Sequence, residues 1–475
     1  MADRVFCIDF GSSYTKVALR RDPSADAELI RHGGETVSAE DYWFPSTVVV
    51  DRTGPRPVPE FGERALGRVA DARVEVHRDW KKWLFLTPAP AAAAVPPLDA
   101  LLRSDEFRTL AAKYQVPAVA VASLQQLATA ATGLYSAAGG RMPSVETQQQ
   151  AFAASLAVYF FKWVRDQVLA ACAKLPTTGL KFDEIPVRVT VPALGDGPPE
   201  TRPGAKALAA ALAKAGWPLH PDRPVVTEPY SNAIGVLTGG ANAVAPRRKV
   251  ILLGKMFSNG PLITVMKDPA HYPSYRALVV DIGSFTTDLA AVTFAPNGET
   301  VEDLDAAVGV TQMSLPLGVT DLDDAVRSGL PAEKAAALGQ LTGRDREDFR
   351  RMVYADGKGY RRPGLSLGGP GDEAVKAAIA GVAAKVAEAV SAFCERTPPA
   401  FRQELILTGG GSLVPALRDA VQSAAATHGH SYVKTHAPFA KKPPAGTLVN
   451  RLDDRTARGG SAIGGASIFF DRDFY

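Results

Sequence analysis

The chain is poor in cysteine and carries no surplus of charge of either sign. Its 475 residues include 3 cysteines, Cys7, Cys172 and Cys394, odd in number and far apart. That excludes a disulfide framework and a cysteine-based zinc site, and fits a reducing compartment. With 53 basic and 50 acidic side chains the net charge is +3, so charge implies neither a nucleic-acid nor an acidic-membrane partner. Met1-Ala2-Asp3-Arg4 runs straight into a strand pattern without the apolar core of a secretory leader, and a cytoplasmic location is expected. The uncharged run from Tyr114 to Gly140 is long enough to span a bilayer. Pro117, Gln125, Gln126 and Gly139-Gly140 make it too polar for one, and an alanine-rich internal helix is expected. Arg247-Arg248-Lys249 and His428-Gly429-His430 read as surface turns, with too few neighbours to suggest nucleic acid or a metal. What remains, 46% apolar and 22% charged, is an ordinary globular composition. At roughly 150 residues per domain it allows two to four domains.

The most informative feature is a repeat. Ile8-Asp9-Phe10-Gly11-Ser12-Ser13-Tyr14-Thr15-Lys16-Val17-Ala18 returns, altered, as Val280-Asp281-Ile282-Gly283-Ser284-Phe285-Thr286-Thr287-Asp288-Leu289-Ala290. Each copy is an apolar run ending in Asp-x-Gly-Ser, a turn of small and hydroxyl residues, and a second apolar run, which is a hairpin signature. A duplicate at such long spacing predicts two similar lobes facing one cleft and excludes a short-period solenoid.

The intervening elements are α/β in character. Pro186 to Pro192 alternates as a strand, and Phe152, Leu156, Tyr159 and Trp163 mark an amphipathic helix over 146–172. A helix over 205–215 stops at Gly216 and Pro218, and a short strand covers 225–227. Beyond the second hairpin a helix starts at 317–321 and a long alanine-rich helix covers 374–393. A strand over 405–408 ends at Gly409-Gly410-Gly411-Ser412 before a helix over 414–426.

An aspartate at a strand end, followed by a turn of small residues, suits a magnesium nucleotide. Backbone N–H groups and hydroxyls face phosphate oxygens while the carboxylate holds the hydrated cation. Asp9 and Asp281 both have this setting. The Gly409-Gly410-Gly411 run leaves backbone bare at a helix start, where a nucleotide can approach closely.

Together these motifs resemble the ATPase fold shared by actin, hexokinase and the DnaK-type heat-shock chaperones, and most of all the nucleotide-binding domain of the chaperones. The segments 9–14 and 281–288 are similar to its two phosphate loops, and 408–415 to its adenosine motif. Glu228-Pro229-Tyr230-Ser231-Asn232-Ala233-Ile234 and Arg458-Gly459-Gly460-Ser461-Ala462-Ile463-Gly464-Gly465-Ala466 are similar to its connecting helices. The resemblance implies an α/β, two-lobed actin-like fold, two ribonuclease-H-like lobes around a nucleotide cleft. Lobe I would cover 1–235, completed by 445–475, and lobe II 236–444. It implies ATP or ADP with Mg²⁺ as cofactors, the metal held through water by Asp9 and Asp281. Gly11, Ser12, Ser13, Tyr14, Gly283, Ser284, Gly409, Gly410, Gly411, Ser412 and Asp454 would hold the nucleotide, with Glu347, Arg350 and Arg351 covering the adenosine. Lys81, Glu228, Asp281 and Thr286 would form the catalytic set, Lys81 against the γ-phosphate and Glu228 orienting or activating water.

Other readings of single motifs stay open on the residues alone. Lys81-Lys82 also reads as a solvated face, Glu228 before Pro229 as a helix cap, and the run 345–351 as a solvated charged helix. Ala233, Gly235, Gly460, Ser461, Gly464 and Gly465 give two helices faces nearly free of side chains, suited to a hinge or to plain close packing. Phe285 stands where the chaperones have glycine, which points to slow or absent hydrolysis, and Leu413 where they often carry an arginine against adenine. After the second connecting helix the sequence runs only from Ile468 to Tyr475, and no apolar linker or substrate-binding domain is expected. The expected function is a chaperone-like ATP switch read by a separate protein partner or by self-association, with no nucleic acid and no membrane. The alternatives are a filament-forming actin-like protein of the plasmid-segregation or cell-shape type, and a sugar kinase, for which no sugar-binding Asp/Asn constellation is found.

Overall fold

The structure, a computed structural model, describes residues 4–21, 27–30, 43–85, 107, 109, 145–238, 275–294, 308–432 and 459–467, less 52, 54–56, 70, 176–179, 195–197, 342, 369–371, 398–399 and 401. The run 114–140, the expected lobe boundary near 445, and Asp454 lie outside the described residues, whereas the expected boundary at 235/236 falls inside the helix Glu228–Thr238. The chain divides into two compact units, Met1–Lys82 with Leu156–Tyr475, and Trp83–Ser155. In the smaller unit the rings of Trp83 and Phe152 lie 6.1 Å apart. All that follows concerns the larger.

Its fold is α/β. In chain order the strands are β1 (Val5–Phe10), β2 (Tyr14–Arg20), β3 (Glu28–Leu29), β4 (Phe44–Pro45), β5 (Val48–Asp51), β6 (Val58–Glu60), β7 (Val74–His77), β8 (Val187–Val191), β9 (Val225–Thr227), β10 (Tyr275–Ile282), β11 (Thr287–Phe294), β12 (Val308–Leu315), β13 (Gly359–Arg362), β14 (Leu365–Gly368), β15 (Arg402–Thr408) and β16 (Ser431–Tyr432). The helices are α1 (Gly62–Arg68), α2 (Lys81–Leu84), α3 (Val145–Cys172), α4 (Pro203–Lys214), α5 (Glu228–Thr238), α6 (Val319–Ser328), α7 (Ala332–Gly339), α8 (Gly343–Phe349), α9 (Glu373–Glu395), α10 (Pro415–Thr427) and α11 (Gly460–Ser467).

Two sheets share one topology. The first runs β3-β2-β1-β8-β9 with β4 beside β2, and the second runs β12-β11-β10-β15-β16. In each, three antiparallel strands are followed by two parallel ones. The sequence repeat therefore occupies the same central hairpin in both. The six residues of β1 are all buried, as a central strand covered on both faces requires. Phe10 sits in an aromatic cluster, its ring centroid 5.0 Å from Trp80 and 5.3 Å from Phe161. The second sheet's core includes Val280, Leu289, Leu405 and Leu322, with Val382, Val386, Val390 and Phe393 of α9 against them. By length and composition α9 is apolar enough to cross a membrane. Its buried valines place that apolar surface in the sheet's core.

Helices α5 and α11 cross with almost nothing between their backbones. A Cβ on Gly235 would lie 2.1 Å from the Gly460 carbonyl oxygen, and one on Gly464 1.6 Å from that of Ser231. All eight residues of α11 are buried, and it packs on α5, β1 and β2 of the first sheet. The side-chain-poor faces noted in the sequence are thus the contact surfaces of these helices.

Gly464→Ala and Gly235→Ala are expected to destabilise the fold by at least the roughly 1–3 kcal/mol typical of overpacking, because the obstruction is backbone and cannot rotate away. A Cβ on Gly381 in α9 would meet nothing within 4 Å among the described residues. Gly381→Ala is expected to stabilise by about 0.5–1 kcal/mol. Urea unfolding of the three variants checks both signs.

Candidate functional site

Each hairpin ends its first strand on an aspartate and turns on Gly-Ser. In the first turn a Cβ on Gly11 would lie 2.2 Å from the Tyr14 carbonyl oxygen, so no larger residue fits. Ser46, just after β4, holds the turn from outside. Its hydroxyl donates to the Gly11 carbonyl at 2.7 Å and its N–H to the Ser13 carbonyl at 3.0 Å. In the second turn the Gly283 N–H donates to the Thr286 carbonyl at 2.8 Å. The N–H groups of Val319 and Thr320, which open α6, donate to the Gly283 and Ser284 carbonyls at 3.0 and 2.8 Å. The two turns face one another, with the hydroxyl oxygens of Ser13 and Ser284 2.8 Å apart.

The repeat also places like positions opposite one another. Asp9 pairs across its hairpin with Lys16, whereas Asp281 pairs across its own with Asp288. The first pair is an ion pair at 3.0 Å, and the Thr190 hydroxyl donates to the other Asp9 oxygen at 3.2 Å. The second joins two carboxylates. Asp288 accepts from the hydroxyls of Thr286, at 2.9 Å, and Ser314, while Asp281 accepts from the Asn232 amide. Burial pushes both groups up to about 7, and in Asp288 the charge of Asp281 adds to it.

Lys81 and Glu228 meet in the interior, ammonium to carboxylate at 2.5 Å, with side-chain exposures of 3% and 8%. Such burial rules out a solvated face for Lys81. Its neighbour Trp80 fixes it, packed on Phe10 with its indole N–H donating to the Ser46 carbonyl at 2.7 Å. Burial outweighs the pull of Lys81 and pushes Glu228 up to about 8.

The glycine loop lies against the end of β10. Gly409 has φ of +77°, and a Cβ there would sit 2.0 Å from Asp281 Oδ1. A Cβ on Gly411 would meet Ile282 at 2.3 Å. Ser412 donates its hydroxyl back to the Gly409 carbonyl at 2.7 Å and serves the turn. The charged run forms α8 and continues through a wider π turn, Arg350–Ala355. That turn keeps Arg346, Arg350 and Tyr354 stacked on a single acceptor, Asp323, at 2.9, 2.7 and 3.1 Å. Against the cost of burial, Arg350 and Arg346 hold Asp323 below the usual carboxylate range. Arg350 is consequently a buried, committed cation with Nη1 3.5 Å from the Ser284 hydroxyl, whereas Arg351 is exposed and pairs with Asp348 at 2.9 Å.

These parts enclose a cavity of about 590 Å³. Of the residues singled out from sequence, Asp9, Gly11, Ser12, Ser13, Tyr14, Lys81, Glu228, Asp281, Gly283, Ser284, Thr286, Glu347, Arg350, Arg351, Gly409, Gly410 and Gly411 line it, and Ser412 does not. Sequence reasoning misses Lys16, Asp288 and Asn232. The first two are visible as the aligned partners of the two aspartates, but nothing local distinguishes Asn232 from any helical asparagine. A phosphate chain fits this lining, since the buried Ser12 hydroxyl has no partner among the described residues and the glycines leave backbone bare. A divalent cation also fits the charge. Six carboxylates, Asp9, Glu228, Asp281, Asp288, Glu347 and Asp348, line it against four basic groups, Lys16, Lys81, Arg350 and Arg351. Among the described residues no three His, Cys, Asp or Glu side chains group closely enough to chelate a metal directly, so waters and phosphate oxygens would complete its shell.

No protein-family model matches the chain, and no curated protein matches it significantly.

The raised carboxylates fix a sign. Near neutrality the folded protein holds protons that the unfolded chain has released, so stability present in mild acid is lost as pH rises toward 7 and 8. The thermal midpoint of the ligand-free protein is expected to fall from about pH 6.5 to about pH 8, above the range in which the buried His220 and His430, held down to about 4, act in the opposite sense. Asp288→Asn, which removes the like-charge pair, is expected to flatten that fall. Melting curves across this range in chelator check both.

Proposed function

We propose that the chain is a Mg²⁺-dependent, ATP-binding and ATP-hydrolysing switch on a two-lobed actin-like fold, with the two shared-topology sheets as its ribonuclease-H-like lobes. The observation that carries it is the facing pair of Asp-x-Gly-Ser turns, with Ser13 and Ser284 in contact and a glycine loop against Asp281. One turn of this kind is a common structural device. Two, at equivalent places of two like sheets and opening on one cavity, suit a phosphate chain gripped from both sides.

Magnesium would supply charge neutralisation of the phosphates and a fixed arrangement of their oxygens. The protein's own groups do the rest. Ser12 and Ser13 donate from one turn, and Ser284 with the backbone of 283–286 from the other. Lys16 and Lys81 bring positive charge from the first sheet's side. Glu228, oriented by Lys81 and raised by burial above the usual carboxylate range, is placed to position a water and, in its ionised form, to take its proton. Positioning and charge stabilisation account for most of such a reaction. Phe285 lines the cavity beside Thr286 and takes up space at the phosphate end.

Mg·ATP is expected to bind the wild-type protein and to bind Asp281→Ala at least about ten-fold more weakly, a loss of about 1.4 kcal/mol. Calorimetric titration checks this, and equal, negligible binding by both proteins would overturn the proposal. Phe285→Gly is expected to raise the ATPase rate above wild type in a steady-state phosphate-release assay. No release by either would leave a nucleotide-binding protein without hydrolysis.

A further inference from the structure

We infer that Asn232 is a positioning residue that sets how strongly the cleft depends on Mg²⁺. The inference rests on the magnesium-nucleotide reading above. Asn232 is 1% exposed on α5, one turn after Glu228. Both protons of its amide are used. One goes to Asp281 Oδ2 and the other to the Thr408 hydroxyl at 2.9 Å. Asp281 and Thr408 are register partners at the ends of β10 and β15, so a single amide closes the end of that parallel pair.

The orientation of the amide follows from what it leaves unpaired. Its oxygen, Oδ1, is buried without a partner among the described residues. A buried orphan acceptor costs on the order of 1–3 kcal/mol. Turning the amide over would set that oxygen against the Asp281 carboxylate, and two acceptors would then face each other. The orphan oxygen is thus the cost of keeping both N–H groups on the second sheet. On its other side Asp281 Oδ1 abuts Gly409, where even a Cβ is excluded. Between amide and glycine the carboxylate has one position.

Asn232 and Glu228 sit at i+4 and i on one helical stripe. Glu228 bonds Lys81 on the first sheet's side while Asn232 bonds Asp281 on the second. The helix therefore fixes the distance between the water-positioning pair and the aspartate that would face the cation. Loss of the amide frees Asp281 to turn, and the charge it offers the hydrated cation is no longer preorganised.

Asn232→Leu removes both donors at nearly constant shape, and Asn232→Ala removes them with a smaller side chain. Binding of a fluorescent ADP analogue is titrated with Mg²⁺ and, separately, measured in EDTA, with melting curves confirming that each variant folds. The half-saturating Mg²⁺ concentration is expected to rise about ten-fold in both variants, while affinity in EDTA stays within about two-fold of wild type. An unchanged Mg²⁺ dependence overturns the inference alone. So does an equal fall in both affinities, the pattern of a merely structural residue. A wild-type protein that binds no nucleotide with or without Mg²⁺ overturns the functional reading itself.

Discussion

The backbone-to-backbone crossing of α5 and α11 is the constraint on which the rest of the larger unit depends. Helices normally pack 8–10 Å apart with side chains as spacers. Here the spacers are missing and carbonyl oxygens stand where Cβ atoms would be. Rotation or sliding of α5 against α11 would drive these atoms together, so its orientation is set. Glu228, Asn232 and Gly235 share one stripe of α5. Gly235 rests on α11, and the two earlier members are thereby aimed at Lys81 and at Asp281 with Thr408. Glycines some distance from the cavity thus determine which polar groups reach it.

The second theme is a repeat that keeps geometry and changes charge. Both central hairpins hold an aspartate at the same strand end, and both close on a glycine turn, one that excludes a Cβ at Gly11 and one that leaves it little room at Gly283. The cross-strand partner differs. Lysine pairs with the first aspartate, whereas the second faces Asp288, a carboxylate that burial and the charge of Asp281 make harder to ionise. A symmetric site could only grip a symmetric ligand. The unequal pair gives one end of the cavity an internal counter-ion and leaves the other with negative charge that an external cation would offset.

Much of this was legible in the amino-acid sequence because it rests on local rules. The hairpins, the strand over Val187–Val191, the long helices and the glycine loop follow from alternation, helical spacing and turn residues, with boundaries within a few residues of those observed. Burial was not legible. Lys81-Lys82 has the composition of a solvated pair, and only tertiary packing around Trp80 brings Lys81 into the interior beside Glu228. The charged run showed helical spacing, but its π turn and its shared acceptor depend on Asp323, more than twenty residues upstream. Arg350 therefore does not lie on a solvated helix face, as its local sequence suggests. It is held on Asp323 beside Ser284 of the second Gly-Ser turn. Asn232 was invisible for the same reason, since both of its acceptors come from remote strands.

The same remote pairing ties Arg78 and Asp79, outside the cavity lining, to the turns within it. Arg78 donates to the Gly339, Gln340 and Leu341 carbonyls at the end of α7, where the helix dipole favours a cation. Asp79 beside it has φ of +52°, a left-handed conformation that costs of order 1–3 kcal/mol in a residue with a side chain. That strain persists because Asp79 pairs with Arg346 at 2.8 Å. Arg346 also bonds Asp323, Asp323 holds Arg350, Arg350 approaches Ser284, and Ser284 contacts Ser13. Asp323 is the shared member, holding both the Arg346 that pairs with Asp79 and the Arg350 that approaches Ser284. Charge-assisted bonds of this kind have narrow geometric tolerance. The contact between the two Gly-Ser turns and the Asp79–Arg346 pair therefore belong to one chain of polar contacts.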